Sequence, residues 1–417
     1  MTDTHGHDES CDDYALSRRS LLKTTGLVGM AGVVTSMFGD VLTSTVYGAS
    51  NGNVLVVLSL RGGADGMSLV VPHAEPAYYS ARPTAGIAAS RLLHADAMFG
   101  LHPSFEKLSG MWAAGQMAAI HAVGLPTPNR SHFDAMEVVE DADPGSSARV
   151  GWLNRMVSGL SSRSEAFAGV QLGGGVVPTS LAGPFPTIAT GGFDDLRTPF
   201  AEDPVMRKRI EGHLINQYKK HGGSVGAAGV RAVALSNQSA AITAASAGGS
   251  SAQYPQSELG KALKASAVLI RSGAGVKAVA VDSGGWDQHV DVTWRVADTI
   301  KDLATCLNAF FVDLGAHADR VTVVTLSEFG RRLSENGSRG LDHGYGNAVL
   351  ALGAGVNGGR FYGRWPGLGM GKQVDGDLAV TTDYRSVLME ILRARFPAVN
   401  TSKVFPGVGL APLGFMR

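Results

Sequence analysis

NVLVVLSL, residues 53–60, is the nearly unbroken apolar run that decides the fold. It lacks the apolar–polar alternation of a half-exposed strand, so it predicts a strand covered on both faces, as in parallel sheets. The turn RGGADG (61–66) follows at the carboxyl end of this run, where open α/β sheets bind their ligands. Its glycines allow the backbone to come close to a ligand, but the turn lacks the GK[ST] ending of a phosphate-binding loop.

Similar apolar runs recur along the chain and alternate with longer segments of helical periodicity. Strands are predicted at 53–60, 117–123, 167–172, 277–283, 320–327 and 347–354. Helices are predicted at 104–114, 132–141, 151–160, 203–220, 255–272, 291–315 and 382–396. This alternation is typical of a mostly parallel sheet with helices on both faces, so the chain is predicted to be an α/β protein.

The first 50 residues have the features of an export signal. SRRSLLK (17–23) contains twin arginines, a weakly apolar stretch covers 26–38, and small residues at 48–50 offer a cleavage site. We expect the twin-arginine translocase to export the protein to the periplasm, the cell envelope or the extracellular space. The alternatives are an uncleaved signal that associates with the membrane, and an N-terminal helix preceded by two chance arginines. The apolar stretch is shorter than the roughly 20 residues of a transmembrane helix.

Residues 51–417 are predicted to form a single domain with a Gly/Ala/Ser-rich excursion near 222–253. Beyond residue 50 the chain has 33 basic and 30 acidic residues, and this weak charge argues against nucleic acid as a partner. Cys306 is the one cysteine in this part of the chain, which excludes an internal disulfide. We interpret Cys306 as a small buried hydrophobic residue.

Acidic residues and histidines flank the predicted strands. The candidates are Asp65, Asp287, His289, Glu328, Asp342 and His343. Because ligands bind along one edge of an open α/β sheet, side chains gathered there predict a site. Carboxylates and imidazoles together suit a divalent metal: zinc is the first expectation, with manganese or calcium as alternatives. The structural alternative for each residue is a turn, a helix cap or an ion pair within a loop.

Ser131 immediately precedes an amphipathic segment, HFDAMEVVE. Asp134 lies three positions later, a near-match to a capping box, so one interpretation of Ser131 is a helix N-cap. The other is a nucleophile, because a helix N-terminus favours an anion such as a phosphate or sulfate ester and a nearby metal lowers the pKa of a hydroxyl. In that case Arg130 or His132 would hold the ester oxygens.

Eight motifs, in order, resemble the twin-arginine-exported family known as domain-of-unknown-function family 1501. They are RGGADGMSLVVP, LHPSFEKL, NRSHFDA, GWLNR, GGWDQH, SEFGRRL, LDHG and VFPG. The resemblance covers nearly all of 50–410. That family is grouped with the alkaline phosphatase superfamily, which includes sulfatases and cofactor-independent phosphoglycerate mutases. The resemblance implies an alkaline-phosphatase-like three-layer sandwich.

The resemblance also implies two metal ions. The implied ligand sets are Asp65, Ser131 and Glu328 for one ion, and Asp287, His289 and His343 for the other. Asp342 would be an extra ligand or would support one. Glu328 stands where the phosphatase pattern has Asp-His, which favours a weaker or absent second ion. Pro126 stands where the sulfatase Cys-x-Pro-Ser-Arg signature has its cysteine, which argues against a formylglycine sulfatase.

We therefore expect an exported, metal-dependent hydrolase of phosphate or related esters, with Ser131 as nucleophile at a two-metal site. Its substrate would be a small molecule or an envelope polymer. The alternative is a non-catalytic envelope binding protein that keeps the fold and one metal or none. An exported redox enzyme is disfavoured because the sequence has no dinucleotide, haem or iron–sulfur motif.

Overall fold

The computed structural model describes residues 52–143, 145–162, 165, 167–196, 203–245, 250–409 and 411–417. The predicted export signal lies outside the described residues. The strands are β1 (Val54–Leu60), β2 (Val70–Val71), β3 (Gly100–Leu101), β4 (Met117–Gly124), β5 (Gly169–Leu172), β6 (Ile188–Thr190), β7 (Ala278–Ser283), β8 (Val321–Leu326), β9 (Asn347–Gly353), β10 (Phe361–Tyr362) and β11 (Thr382–Asp383). All six predicted strands are present, and the additional ones are short.

The helices also follow the predicted pattern. They are α1 (Gly66–Leu69), α2 (Pro76–Ala81), α3 (Ser109–Ala113), α4 (His132–Asp141), α5 (Trp152–Ser158), α6 (Pro204–His221), α7 (Gly223–Ala245), α8 (Glu258–Arg271), α9 (Val292–Leu314), α10 (Tyr384–Arg395) and α11 (Thr401–Val404). The predicted helix at 104–114 begins as a 3-10 helix, Pro103–Leu108, because Pro103 and the capping His102 start a tight turn before α3. The Gly/Ala/Ser-rich excursion contains the whole of α7.

The central sheet has the order β10-β4-β9-β8-β1-β7-β5-β6, and β11 pairs with β4. Neighbouring strands are parallel except around β9, which is antiparallel to both β4 and β8. On one face of the sheet, Leu55 and Val57 of β1 belong to a core cluster with Val387 and Ile391 of α10. On the other side α8 packs against β5 and β7, and α9 packs against α8. The predicted fold class, a mostly parallel sheet covered by helices on both faces, is confirmed.

The reversed direction of β9 determines where the site lies. Asn347, the first residue of β9, pairs with Val123 near the carboxyl end of β4. The loop before β9 therefore reaches the same edge as the loops that follow β1, β7 and β8. The candidate residues gather at that edge, although Asp287 and Glu328 follow strands whereas Asp342 and His343 precede one.

Residues 43–197 and 237–417 belong to one compact unit, whose described part contains the whole sheet. Residues 198–236 belong to a second unit, whose described part consists of α6 and the first part of α7. The single domain expected over 51–417 stays a prediction. Cys306 is buried in α9, as predicted. In the described part of the chain, no helix combines the length and the apolar character needed to cross a membrane.

Candidate metal centre

Three ligand atoms from two loops meet at the carboxyl edge of the sheet. His289 Nε2 lies 2.9 Å from Asp287 Oδ1, and His343 Nε2 lies 3.2 Å from the same oxygen. The two Nε2 atoms are 3.1 Å apart. The structure thus brings together three residues that the sequence offered as metal ligands, across a chain separation of 54 residues between the two histidines.

The loops that carry these residues are fixed by their own packing. Trp286 is buried and its indole Nε1 donates to Ser283 Oγ at 3.1 Å, which anchors the loop that follows β7. The backbone N–H of Leu341 donates to the carbonyl of Gln288, which joins this loop to the one before β9. Asn336 Nδ2 donates to the carbonyl of His289 at 2.9 Å and strengthens the junction. The ligand atoms are therefore held by a preformed framework.

The outer nitrogens of both histidines are bonded to acceptors. His289 Nδ1 lies 2.8 Å from Asp342 Oδ1, and His343 Nδ1 lies 3.0 Å from the carbonyl oxygen of Arg130. Burial raises the pKa of Asp342, but hydrogen bonds from His289 and Asn336 outweigh it and hold that pKa below its usual value. A carboxylate and a carbonyl only accept hydrogen bonds, so both Nδ1 atoms carry hydrogen.

With hydrogen on each Nδ1, the Nε2 atoms of the two rings face each other beside Asp287 Oδ1. Metal-binding histidines have this arrangement, in which the distal ring nitrogen donates to a carboxylate or a carbonyl. Ligands about 2.0–2.1 Å from a tetrahedral zinc lie roughly 3.3 Å apart, close to the separations among these three atoms. The donor set therefore fits a metal ion, and Asp342 supports His289.

His132, the first residue of α4, completes the cluster. Its Nε2 lies 3.6 Å from Asp287 Oδ2 and its Nδ1 lies 3.6 Å from Glu328 Oε1. His132, Asp287 and His343 also offer ligand atoms that all lie within 4.8 Å of one another. Burial lowers the pKa of His132, but hydrogen bonds with Asp287 and Glu328 outweigh it and raise the pKa to about 9.

Arg331 is a buried cation beneath the cluster, and an ion pair within its own loop would have joined it to Glu328. Its Nη2 donates instead to Asp287 Oδ1 at 2.6 Å, and its Nη1 lies 3.4 Å from His289 Nε2. The same guanidinium also donates to the carbonyls of Gly62, Gly63, Trp286 and Leu341. Burial raises the pKa of Asp287, but its histidine partners and Arg331 hold that pKa well below the usual range.

Glu328 is held by the glycine-rich turn after β1. Its Oε1 accepts from the N–H of Gly62 and its Oε2 from the N–H of Gly63, both at 2.9 Å. Burial raises the pKa of Glu328, but hydrogen bonds from His132 and these amides outweigh it, so the pKa is lowered and the group is ionised. Gly62 has φ +112°, and a Cβ there would lie 2.6 Å from the backbone nitrogen of Asp287. The turn therefore requires glycine.

Asp65 lies outside this cluster and is bound to an arginine that the sequence did not reveal. Arg82 Nη1 donates to Asp65 Oδ2 at 2.5 Å and Arg82 Nη2 to Oδ1 at 2.9 Å. Ser68 Oγ donates to Oδ2 at 2.5 Å. Burial raises the pKa of Asp65, but Arg82 and Ser68 outweigh it and lower the pKa. The assignment of Asp65 as a metal ligand stays a prediction, and its ion pair with Arg82 argues against that assignment.

Ser131 and Arg130 have local partners. Ser131 is the N-cap of α4: its Oγ accepts from the N–H of Asp134 at 3.5 Å, and the residue is exposed. The Arg130 guanidinium binds Asp377, with Nη2 at 2.5 Å from Oδ2. The capping interpretation of Ser131 describes this geometry, and catalytic roles for Ser131, Arg130 and His132 stay predictions.

Three solved structures are similar to this chain at low TM-scores. The C-terminal periplasmic domain of EcEptC from Escherichia coli has a TM-score of 0.36 and 9% identity over 87% of this chain and 89% of that one. The same domain in complex with Zn has a TM-score of 0.32 and 9% identity over 74% of each chain. The PsFucS1 sulfatase from Pseudoalteromonas sp. has a TM-score of 0.35 and 12% identity over 88% of this chain and 73% of that one. Similarities at this level carry no information about activity.

Among curated proteins, none matches the chain. The family described as Protein of unknown function (DUF1501) matches residues 87–389. The matched region contains Ser131, the Asp287–His289 loop, Arg331 and His343, whereas Asp65 and Arg82 precede it. The chain belongs to the DUF1501 family of proteins of unknown function.

Proposed function

We propose that this protein is an exported, metal-dependent hydrolase of phosphate or related esters, with a divalent ion bound by Asp287, His289 and His343. One observation carries the proposal. The Nε2 atoms of His289 and His343 face each other at 3.1 Å, while acceptors fix hydrogen on both Nδ1 atoms. Because the outer nitrogens of both rings are bonded to acceptors, both Nε2 atoms are turned to the same point beside Asp287, where a divalent metal would bind all three.

The donor set favours zinc. Two imidazole nitrogens and one carboxylate oxygen with an open fourth position are typical of catalytic zinc sites. Manganese and calcium are the alternatives, since both accept more oxygen ligands. A metal bound here would supply Lewis acidity, which lowers the pKa of a nearby hydroxyl and stabilises charge on an ester oxygen.

The remaining parts of the proposed site come from the start of α4. This helix has ten residues, and its N-terminus favours an anionic group such as a phosphate ester. Ser131 caps the helix and presents an exposed hydroxyl next to His132, whose ring reaches Asp287. With its raised pKa, His132 is a cation at neutral pH and would hold an ester oxygen. Ser131 Oγ would lose its proton to solvent and attack the phosphorus or sulfur atom of the ester. The bond to the alcohol oxygen would break and the alcohol would leave with a proton, and water would then cleave the seryl ester and restore the serine.

A non-catalytic envelope binding protein is the second candidate. Two contacts of the predicted catalytic side chains favour it. Ser131 Oγ caps helix α4, and the guanidinium of Arg130 is paired with Asp377. In this alternative, the metal centre would bind an anionic group of the ligand without turnover.

The test compares ester hydrolysis by the exported protein, purified from its native host, after metal removal and reloading with zinc, manganese or calcium. We expect metal-dependent turnover of an aryl phosphate or sulfate ester, and a loss on the order of 10³-fold or more in Ser131→Ala with its metal content unchanged. Ser257→Ala is the matched control, since Ser257 caps α8 through a 3.2 Å bond to the N–H of Gly260. Turnover that persists in Ser131→Ala would remove the serine from the mechanism, and metal-loaded protein that binds esters without hydrolysis would favour the binding protein.

A further inference from the structure

We infer that this centre holds a single metal ion, because the protein's own Arg82 occupies the carboxylate that a second ion would need. The inference rests on the proposed function and deepens it. The resemblance to alkaline-phosphatase-like enzymes implies a second ligand set of Asp65, Ser131 and Glu328. In the structure these residues do not fit a metal ion.

A bidentate ion pair with Arg82 occupies both oxygens of the Asp65 carboxylate. Both of its oxygens accept from Arg82, at 2.5 and 2.9 Å, and Ser68 Oγ takes a further position on Oδ2. The side chains of Arg82 and Asp65 are 0% and 4% exposed. Pairs of this planar, two-bond kind are among the strongest polar contacts in proteins. A metal ion could reach Asp65 only by displacing a buried guanidinium.

Arg82 itself is held in place from the other side. Its Nε donates to the carbonyl of Leu333 and its Nη2 to the carbonyl of Arg332, both at 2.9 Å. The guanidinium therefore bridges Asp65 to the segment that follows β8, and its side chain is fully buried. Since arginine stays protonated at all physiological pH values, the positive charge at this position is permanent.

Glu328 and Ser131, the other members of that ligand set, also have hydrogen-bond partners within the protein. Each oxygen of Glu328 accepts from a backbone amide of the turn at Gly62 and Gly63, and Oε2 also accepts from Ser327 Oγ at 3.1 Å. Ser131 is exposed at the start of α4 and caps it. With Asp65 closed, these two residues alone do not make the three or four ligands that a protein site for zinc requires.

The charge of the cluster points to the same number of ions. Its carboxylates are Asp287, Glu328 and Asp342, and its buried guanidinium is Arg331. With the protonated His132 included, three negative and two positive charges leave a net charge of −1, which one divalent ion already more than balances, and a second ion would bring the cluster to +3. The Asp65–Arg82 pair is neutral by itself and adds no demand for a second ion.

The test is a zinc titration of the chelator-stripped mature protein, followed by elemental mass spectrometry after dialysis, for wild type, Asp65→Asn and Asp287→Asn. We expect one zinc per chain in wild type and in Asp65→Asn, and at least a hundredfold weaker binding in Asp287→Asn. Glu328→Gln is a second probe of the same ligand set and should also retain one zinc.

Two ions per wild-type chain, with one lost in Asp65→Asn, would overturn the single-ion inference and leave the proposed function standing. No bound zinc in wild type would instead overturn the proposed function itself. The wild-type stoichiometry decides between one ion and two even where Asp65→Asn fails to fold.

Discussion

Two buried arginines, Arg82 and Arg331, give the centre its fixed positive charges. Arg82 neutralises Asp65, and Arg331 binds Asp287 while its other N–H groups hold the surrounding backbone. Neither role could be predicted from the sequence, because the partners are far apart along the chain. Arg331 and Gly63, for example, are 268 residues apart. Only the folded chain shows which carboxylate each guanidinium binds.

At this scale we predict that Asp65→Asn destabilises the protein by about 3–5 kcal/mol near pH 7, because it leaves the buried Arg82 without a charged partner. The pKa of Asp65 in the folded protein lies below its usual 3.8. The pair therefore contributes full stability above pH 3.8, and this contribution is lost as the pH falls through the lower, folded-state pKa. Urea unfolding of wild type and variant across this pH range measures the effect.

The control for Asp65→Asn is Asp298→Asn, at an exposed position of α9. It should change the free energy of unfolding by no more than about 0.5 kcal/mol. A difference between wild type and Asp65→Asn that stays constant into strong acid would show that the ion pair is not its cause.

At the scale of elements, the apolar runs were enough to locate strands and helices, since β-branched runs and helical stripes are local patterns. The direction of β9, in contrast, could not be predicted from a local pattern. Asp342 and His343 precede their strand, so they reach the edge shared with Asp287 only because β9 runs antiparallel to β8 and β4. The sequence singled out these two loops as candidates for metal ligands, and the sheet topology explains why they meet.

The junction between these loops gives the second prediction. A Cβ on Gly340 would lie 1.8 Å from the carbonyl oxygen of His289, whereas a Cβ on Gly337, in the same loop, has nothing within 4 Å. Gly340→Ala should therefore separate the His289 loop from the His343 loop and weaken zinc binding by about 10–100-fold. Gly337→Ala should bind zinc as wild type does. Isothermal titration calorimetry on both variants tests this, and equal affinities would show that the loops adjust freely.

At the scale of the whole molecule, the metal would join segments that enter the sheet edge from separate strands. An ion that binds the folded chain and not the unfolded chain stabilises it by mass action. We predict that zinc at a thousandfold excess over its Kd raises the free energy of unfolding by roughly 4 kcal/mol. Thermal unfolding with zinc or with chelator should show a higher Tm with zinc. The gain should vanish in His343→Ala, and a Tm that is indifferent to zinc in wild type would contradict the centre.

The most direct measurement is anomalous diffraction at the zinc absorption edge from crystals of the protein grown with zinc. We predict one anomalous peak about 2.0–2.1 Å from both His289 Nε2 and His343 Nε2, with Asp287 as the third ligand, and no peak beside Asp65. Crystals in which the two Nε2 atoms remain about 3 Å apart with no anomalous density between them would contradict the metal centre and, with it, the proposed hydrolase.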